Sequence, residues 1–65
     1  MKPDSVGARL RVLRGDMSRK DLSAAIGVTP QAILNYEFGY RIPVDAVKVK
    51  IAKFFKKTVQ EIFYD

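Results

Sequence analysis

The apolar residues of this chain recur at helical spacing, and no stretch alternates between apolar and polar residues as a strand would. Side chains three or four positions apart share one face of a helix. Val6, Leu10 and Leu13 follow that spacing, and Gly15 comes after them as a stop signal. The pattern predicts a first helix over residues 5–14.

Helix-capping residues divide the rest of the chain into four further helices. Ser18 and Thr29 each precede a short amphipathic segment, and Pro30 suits the first position of a helix. Thr58 and Glu61 have the spacing of a capping box. These later helices are predicted over residues 18–26, 29–37, 44–56 and 58–64. Residues 1–65 are therefore expected to form one all-α domain, a compact five-helix bundle.

The longest predicted helix has an apolar side and a basic side. The lysines between residues 48 and 57 are expected to form a solvated face that attracts anions at long range. Arg9 and Arg14, in the first helix, are likewise expected to be exposed. A helical wheel places five residues on the apolar side: Val44, Val47, Ile51, Phe54 and Phe55.

Residues 18–36 have the pattern of two short helices joined by a tight turn. Only "GVT", residues 27–29, separates them, so the helices must cross steeply and the second can project from the bundle. Gly27 tolerates the positive φ of such a turn, Ser23 is small enough for a close crossing, and Ile33 fills the angle between the helices. The second helix is the candidate for entering a groove of nucleic acid.

Two amide side chains lie on one side of that second helix. Gln31 and Asn35 are four positions apart, opposite Ile33 and Tyr36. An amide can hydrogen-bond to both N6 and N7 of adenine, which discriminates that base by about 1–3 kcal/mol. Ala32 is small and apolar and can contact a thymine methyl group. These residues are candidate base contacts, and the alternative is a polar surface that is merely solvated.

Two long segments of the chain resemble the phage repressor and Cro-like helix-turn-helix family of bacterial and phage regulators. "LRVLRGDMSRKDLSAAIGVTPQAILNYEFGYRIP" is similar to the first three helices of that family and the following loop, and "VKVKIAKFFKKTVQEIF" is similar to its last two helices. The resemblance implies sequence-specific binding to a double-stranded DNA operator, often as a dimer. It implies a transcriptional regulator in a bacterial cell or phage-infected host. Repression is favoured over activation because so small a chain has no obvious effector domain.

Matched position by position, the resemblance makes residues 29–38 the recognition helix and its end. It pairs Arg11 with Glu37, and it places Phe38 where the family commonly has Asn. The Phe38 ring can pack on a sugar, reach a thymine methyl group or serve a protein partner. The residues expected at bases are Pro30, Gln31, Ala32 and Asn35. Those expected at phosphates are Arg19, Lys20, Thr29, Tyr40 and Arg41.

Composition narrows the chemistry further. Twelve Lys and Arg against seven Asp and Glu give a net charge of +5, which favours an anionic partner. The chain has no Cys and no His, so we expect no disulfide, no metal site, no cofactor and no evident small-molecule ligand. The hydroxyls at positions 5, 18, 29 and 58 are explained as helix caps, so we expect no enzyme.

The chain carries no signal for a membrane. No apolar run approaches the roughly 18 residues of a membrane span. The opening "MKPD" does not lead into the apolar stretch of a signal peptide. We therefore expect a cytoplasmic protein without a membrane partner.

A homodimer is also expected, because one short helix reads only a few base pairs and a two-fold pair doubles the contacts. An alternative function is a protein-binding module on the same fold, antitoxin-like or anti-repressor-like, and an exposed Leu34 or Phe38 would favour it. The candidate dimer surface consists of Val49, Val59, Ile62, Phe63 and Tyr64.

Overall fold

The computed structural model describes residues 5–64, which form five α-helices and no strand. The described chain has a radius of gyration of 10.5 Å. The predicted all-α five-helix fold is confirmed. The helices are α1 (Val6–Arg14), α2 (Arg19–Ile26), α3 (Pro30–Glu37), α4 (Asp45–Phe54) and α5 (Val59–Phe63).

Hydroxyl caps begin four of these helices. In each, the oxygen of the residue before the helix accepts a hydrogen bond from a backbone N–H of the first turn. The donors and distances are Ala8 to Ser5 at 3.0 Å, Asp21 to Ser18 at 3.0 Å, Ala32 to Thr29 at 3.1 Å and Glu61 to Thr58 at 3.1 Å. The predicted capping box is complete, because the Glu61 carboxylate accepts from the N–H of Thr58 at 3.0 Å.

Helix α4 is shorter than predicted and ends at Phe54 instead of residue 56. Lys56 adopts a left-handed backbone conformation with φ of 57°. The N–H of Lys57 then donates to the carbonyl of Ala52 at 2.9 Å. A left-handed residue with a hydrogen bond of this span closes a helix, so the last predicted turn is absent.

The buried side of α4 is rotated from the predicted one. Val44 is 68% exposed and Phe54 is 38% exposed, so their predicted place on the buried side is wrong. Ala52 was not predicted to be buried but is 3% exposed, and Lys48 on the predicted solvated face is half-buried. The helix therefore packs on α2 and α5 through the face that holds Ala52 and Ile51.

One core lies between the helices. Partly buried residues from α1, α3, α4 and α5, among them Val6, Leu13 and Tyr36, pack around it. None of the helices in residues 5–64 has the length and apolar character needed to span a membrane. The buried core residues are Leu10, Leu22, Ile26, Ile33, Ile51, Ala52, Ile62 and Phe63.

Helix α1 approaches the end of α3 closely at Gly7. A Cβ atom at this position would lie 2.7 Å from the carbonyl carbon of Glu37 and 3.1 Å from the carbonyl oxygen of Tyr36. Those atoms belong to the backbone and cannot rotate away. The packing of α1 on α3 therefore requires a residue without a side chain at position 7.

We predict that Gly7→Ala lowers the free energy of unfolding by about 1–3 kcal/mol, because the added methyl group forces the two helices apart. In a helix with free space at the glycine, the same change stabilises by roughly 0.5–1 kcal/mol. The sign of the change in unfolding free energy therefore shows whether the methyl group meets α3. The measurement is urea unfolding followed by circular dichroism. Val12→Ala, on the exposed side of α1, is the control and should change stability by less than about 0.5 kcal/mol.

Candidate nucleic-acid interface

The turn between α2 and α3 has the predicted geometry. Gly27 has φ of 88°, and its N–H donates to the carbonyl of Ser23 at 2.8 Å. Ser23 is buried, and its hydroxyl donates to the carbonyl of Lys20 at 2.8 Å. Ile33 is buried at the crossing of the two helices, with 3% exposure. The predicted roles of Gly27, Ser23 and Ile33 in the helix-turn-helix are confirmed.

Helix α3 is buried on one side and open on the other. Ile33 is in the core, and Tyr36 packs against it. On the other side Pro30 and Gln31 are exposed, and Ala32 and Asn35 are half-buried. The four residues expected at bases therefore all keep surface accessible to a ligand.

Gln31 and Asn35 form a hydrogen-bonded pair in the free protein. The Gln31 Nε2 donates to Asn35 Oδ1 at 3.1 Å. This bond fixes the two amides relative to each other and leaves Gln31 Oε1 as an acceptor and Asn35 Nδ2 as a donor. An acceptor next to a donor is the pattern that complements N6 and N7 of adenine.

Four of the five residues expected at phosphates are open to solvent. Lys20, Thr29 and Arg41 are exposed, and Tyr40 is 73% exposed. The N–H groups of Tyr40 and Arg41 both donate to the carbonyl of Asn35, at 2.9 and 3.2 Å. These bonds hold the backbone of the loop after α3 against the last turn of that helix.

Glu37 organises the end of α3. Its side chain has no exposed surface, and its carboxylate accepts from Arg14 Nε at 2.6 Å and from Arg19 Nε at 3.0 Å. Arg14 also donates from Nη2 to Glu37 at 3.2 Å and from Nη1 to the carbonyl of Met17 at 2.8 Å. Arg19, expected only at phosphate, thus has a structural partner within the protein.

The expected pairing of Arg11 with Glu37 is wrong, and so is the expected exposure of Arg14. Arg11 is exposed and lies over the Phe38 ring, with its guanidinium carbon 5.9 Å from the ring centroid. Arg14 lies in the last turn of α1, with a side chain only 17% exposed. On a helical wheel Arg14 flanks the apolar side of α1, whereas Arg11 lies further from it. The wheel therefore favoured Arg14 over Arg11 as the partner of a buried carboxylate.

Arg9 was also expected to be exposed, and it is buried. It is 7% exposed, and its Nη1 donates to the carbonyl of Ile62 at 3.1 Å. Arg9 ties α1 to the last turn of α5. On the helical wheel Arg9 lies beside Leu13, and this position indicated that Arg9 is buried.

Part of the candidate dimer surface is not available. Ile62 and Phe63 are 1% and 8% exposed and belong to the core, so they cannot also form an interface in this conformation. Val59 is half-buried against the core, whereas Val49 and Tyr64 are 43% and 46% exposed. Those three residues stay a prediction.

Lys48 explains how Tyr64 is held at the surface. Its ammonium group donates to the Tyr64 hydroxyl at 2.9 Å and lies over the Tyr64 ring, 5.0 Å from the centroid. The hydrogen bond to Tyr64 raises the pKa of Lys48, with a further contribution from Asp45. The hydrogen bond and the contact with the ring together hold Tyr64 against α4.

The features expected to favour a protein partner are only partly present. Leu34 is half-buried and so offers less apolar surface than an exposed leucine would, while Phe38 is 49% exposed. Two apolar side chains with a higher exposed fraction than Phe38 follow α3, namely Ile42 at 78% and Val44 at 68%. Within the described part of the chain no group of acidic side chains is placed to hold a metal ion.

Residues 8–62 match the helix-turn-helix family, and the chain belongs to that family. Among solved structures it is similar to the P22 c2 repressor protein, in a crystal structure with synthetic operator 9T in the presence of Tl+. The TM-score is 0.89 at 19% sequence identity, covering 94% of this chain and 96% of the repressor chain. This likeness establishes a shared fold. A search of curated proteins gave no match.

We predict that Arg14→Ala lowers the free energy of unfolding by about 3 kcal/mol, because the buried Glu37 carboxylate loses its bidentate partner. Arg11→Ala removes the same side-chain type from the same helix and is the matched control, with an expected change below about 0.5 kcal/mol. Urea unfolding of the two variants measures the difference. Equal losses would contradict the pairing of Arg14 with Glu37.

Proposed function

We propose that this chain is a sequence-specific double-stranded DNA-binding transcriptional repressor that reads the major groove with α3. The observation that carries the proposal is the amide pair on the open side of that helix. Gln31 and Asn35 are hydrogen-bonded to each other, and the pair keeps Gln31 Oε1 as an acceptor and Asn35 Nδ2 as a donor for a ligand. Such a pair has the hydrogen-bonding capacity that a base edge requires.

The distribution of charge supports a duplex as the partner. Arg19 and Lys20 start α2, and Arg41 follows α3, so cations lie at both ends of the helix-turn-helix along the chain. Contacts from the two ends of the motif to the phosphates on either side of a groove would position α3 between them. The net charge of +5 adds long-range attraction to the same partner.

Membership of the helix-turn-helix family supports DNA binding, and the fold shared with a repressor in complex with a synthetic operator supports repression. The proposed role is binding without catalysis, by residues 1–65 as one domain, in the bacterial cytoplasm where the DNA lies. It requires no cofactor.

A homodimer completes the proposal, because a single short helix reads few base pairs. Val49, Val59 and Tyr64 are candidates for the dimer contact, and Ile42 and Val44 are exposed apolar residues that can extend it. In a dimer with two-fold symmetry the two copies of α3 would lie about 34 Å apart, one turn of the duplex.

We predict that Gln31→Ala and Asn35→Ala each relax the base preference at the position they contact, costing about 1–3 kcal/mol of discrimination. Because the two amides are hydrogen-bonded to each other, the double variant should lose less than the sum of the single losses. Fluorescence anisotropy with a selected duplex and its single-base variants measures both effects. Lys53→Ala, on the exposed side of α4, is the control and should keep the preference. Unchanged preference in both amide variants would contradict the assignment of α3.

We predict that selection from a randomised duplex pool returns a two-fold symmetric site with half-sites about one helical turn apart. If each chain neutralises three or four phosphates, the dimer should give a log–log salt slope of very roughly −5 to −7. Titration of the selected duplex over several salt concentrations measures this slope. Absence of binding to any duplex even at low salt would refute the proposed function and favour a protein partner.

A further inference from the structure

Three helices meet at the Phe38 ring. Arg11 comes from α1, Arg19 begins α2, and Phe38 caps the C-terminus of α3. The guanidinium carbons of Arg11 and Arg19 lie 5.9 and 5.7 Å from the centroid of the ring. Both distances are within the range of a cation–π contact. One exposed ring therefore holds two arginine head groups at the edge of the candidate interface.

The charge at this place is not balanced by Glu37. Its carboxylate carries one negative charge and is shared by Arg14 and Arg19, while Arg11 lies on the adjacent ring. Two guanidinium groups thus contact one carboxylate and a third lies on the adjacent ring, so these four side chains carry three positive charges and one negative charge. Like charges gathered beside one ring repel each other, and an anion bound between them would relieve that repulsion.

Both arginines on the ring have donors left for such an anion. Arg19 uses Nε on Glu37, which fixes the plane of its guanidinium and leaves the two terminal NH₂ groups. Arg11 donates no side-chain hydrogen bond to another residue among those from 5 to 64. Planar guanidinium groups bind the paired oxygens of a phosphate with two parallel hydrogen bonds.

We propose that Phe38 positions Arg11 and Arg19 as a clamp for one phosphodiester group of the DNA backbone. Arg11 is then a phosphate contact additional to those already assigned, and Phe38 is a positioning residue that acts through both arginines. The inference rests on the proposed function. The ring holds the two long side chains before DNA binds, so less of their conformational freedom is lost in the complex.

The test measures the affinity of the full chain for a selected duplex and for a random duplex over a series of salt concentrations. Phe38→Ala is expected to weaken binding to both duplexes by the same factor, roughly tenfold per bound chain, because two arginine side chains must then be ordered on binding. The salt slope should stay the same, because no charge is removed. Phe38→Tyr keeps the ring and should restore the affinity.

Arginine variants separate positioning from direct contact. Arg11→Ala should flatten the salt slope by about 0.9 per bound chain. Lys50→Ala removes one charge from the exposed side of α4 and is the matched control, with a smaller change of slope. In the background of Arg11→Ala with Arg19→Ala, Phe38→Ala should have no further effect. Circular dichroism of each variant verifies that it is folded.

The clamp and the proposed function fail in different ways. If the unmodified chain binds no duplex at low salt, both are refuted. If it binds but Arg11→Ala leaves the salt slope unchanged, only the clamp is refuted. The same holds if Phe38→Ala lowers the affinity as much in the double-arginine background as it does alone. A change of base preference in Phe38→Ala would also refute it, because the ring would then contact a base directly.

Discussion

The buried ion pair at Glu37 joins the first three helices of this protein. The Glu37 carboxylate, at the end of α3, is completely buried and accepts hydrogen bonds from Arg14 at the end of α1 and Arg19 at the start of α2. Removing one partner of a buried charge typically costs about 3–5 kcal/mol, a large fraction of the stability of a small domain. The pair therefore sets how α3 sits on the bundle, and the position of α3 determines what the proposed interface presents.

A close backbone contact also fixes α1 against the end of α3. Helix α1 can lie against the end of α3 only because Gly7 has no side chain to meet the carbonyl groups of Tyr36 and Glu37. Close contact at Gly7 and the ion pair at Glu37 act on the same end of the helix. With both present, the amides of Gln31 and Asn35 belong to a rigid element, and a rigid binding surface loses less entropy when it binds.

This chain shares its fold with a phage repressor at only 19% identity, so different side chains can meet the same packing requirement. Phe38 shows how the surface can change while the fold is kept. A ring at this position gathers Arg11 and Arg19 beside the end of α3 without entering the core. The Asn that the family commonly has at this position carries no ring and cannot make that arrangement. The surface beside α3 therefore depends on side chains particular to this chain, whereas the fold is shared.

Local signals in the sequence determined the helices, because a cap or a left-handed glycine satisfies backbone groups within a few residues. The starts at Ser18, Thr29 and Thr58 and the turn at Gly27 follow from such signals. The open side of α3, with its two amides, followed from helical periodicity.

Contacts between helices were decided only by the tertiary structure. The choice of Arg14 over Arg11 for Glu37, the burial of Arg9, and the rotation of α4 depend on where distant helices cross. Long arginine and lysine side chains can cover apolar surface and still reach a polar partner, so their charge does not reveal whether they are buried. Which partner each one reaches is a property of the packed chain.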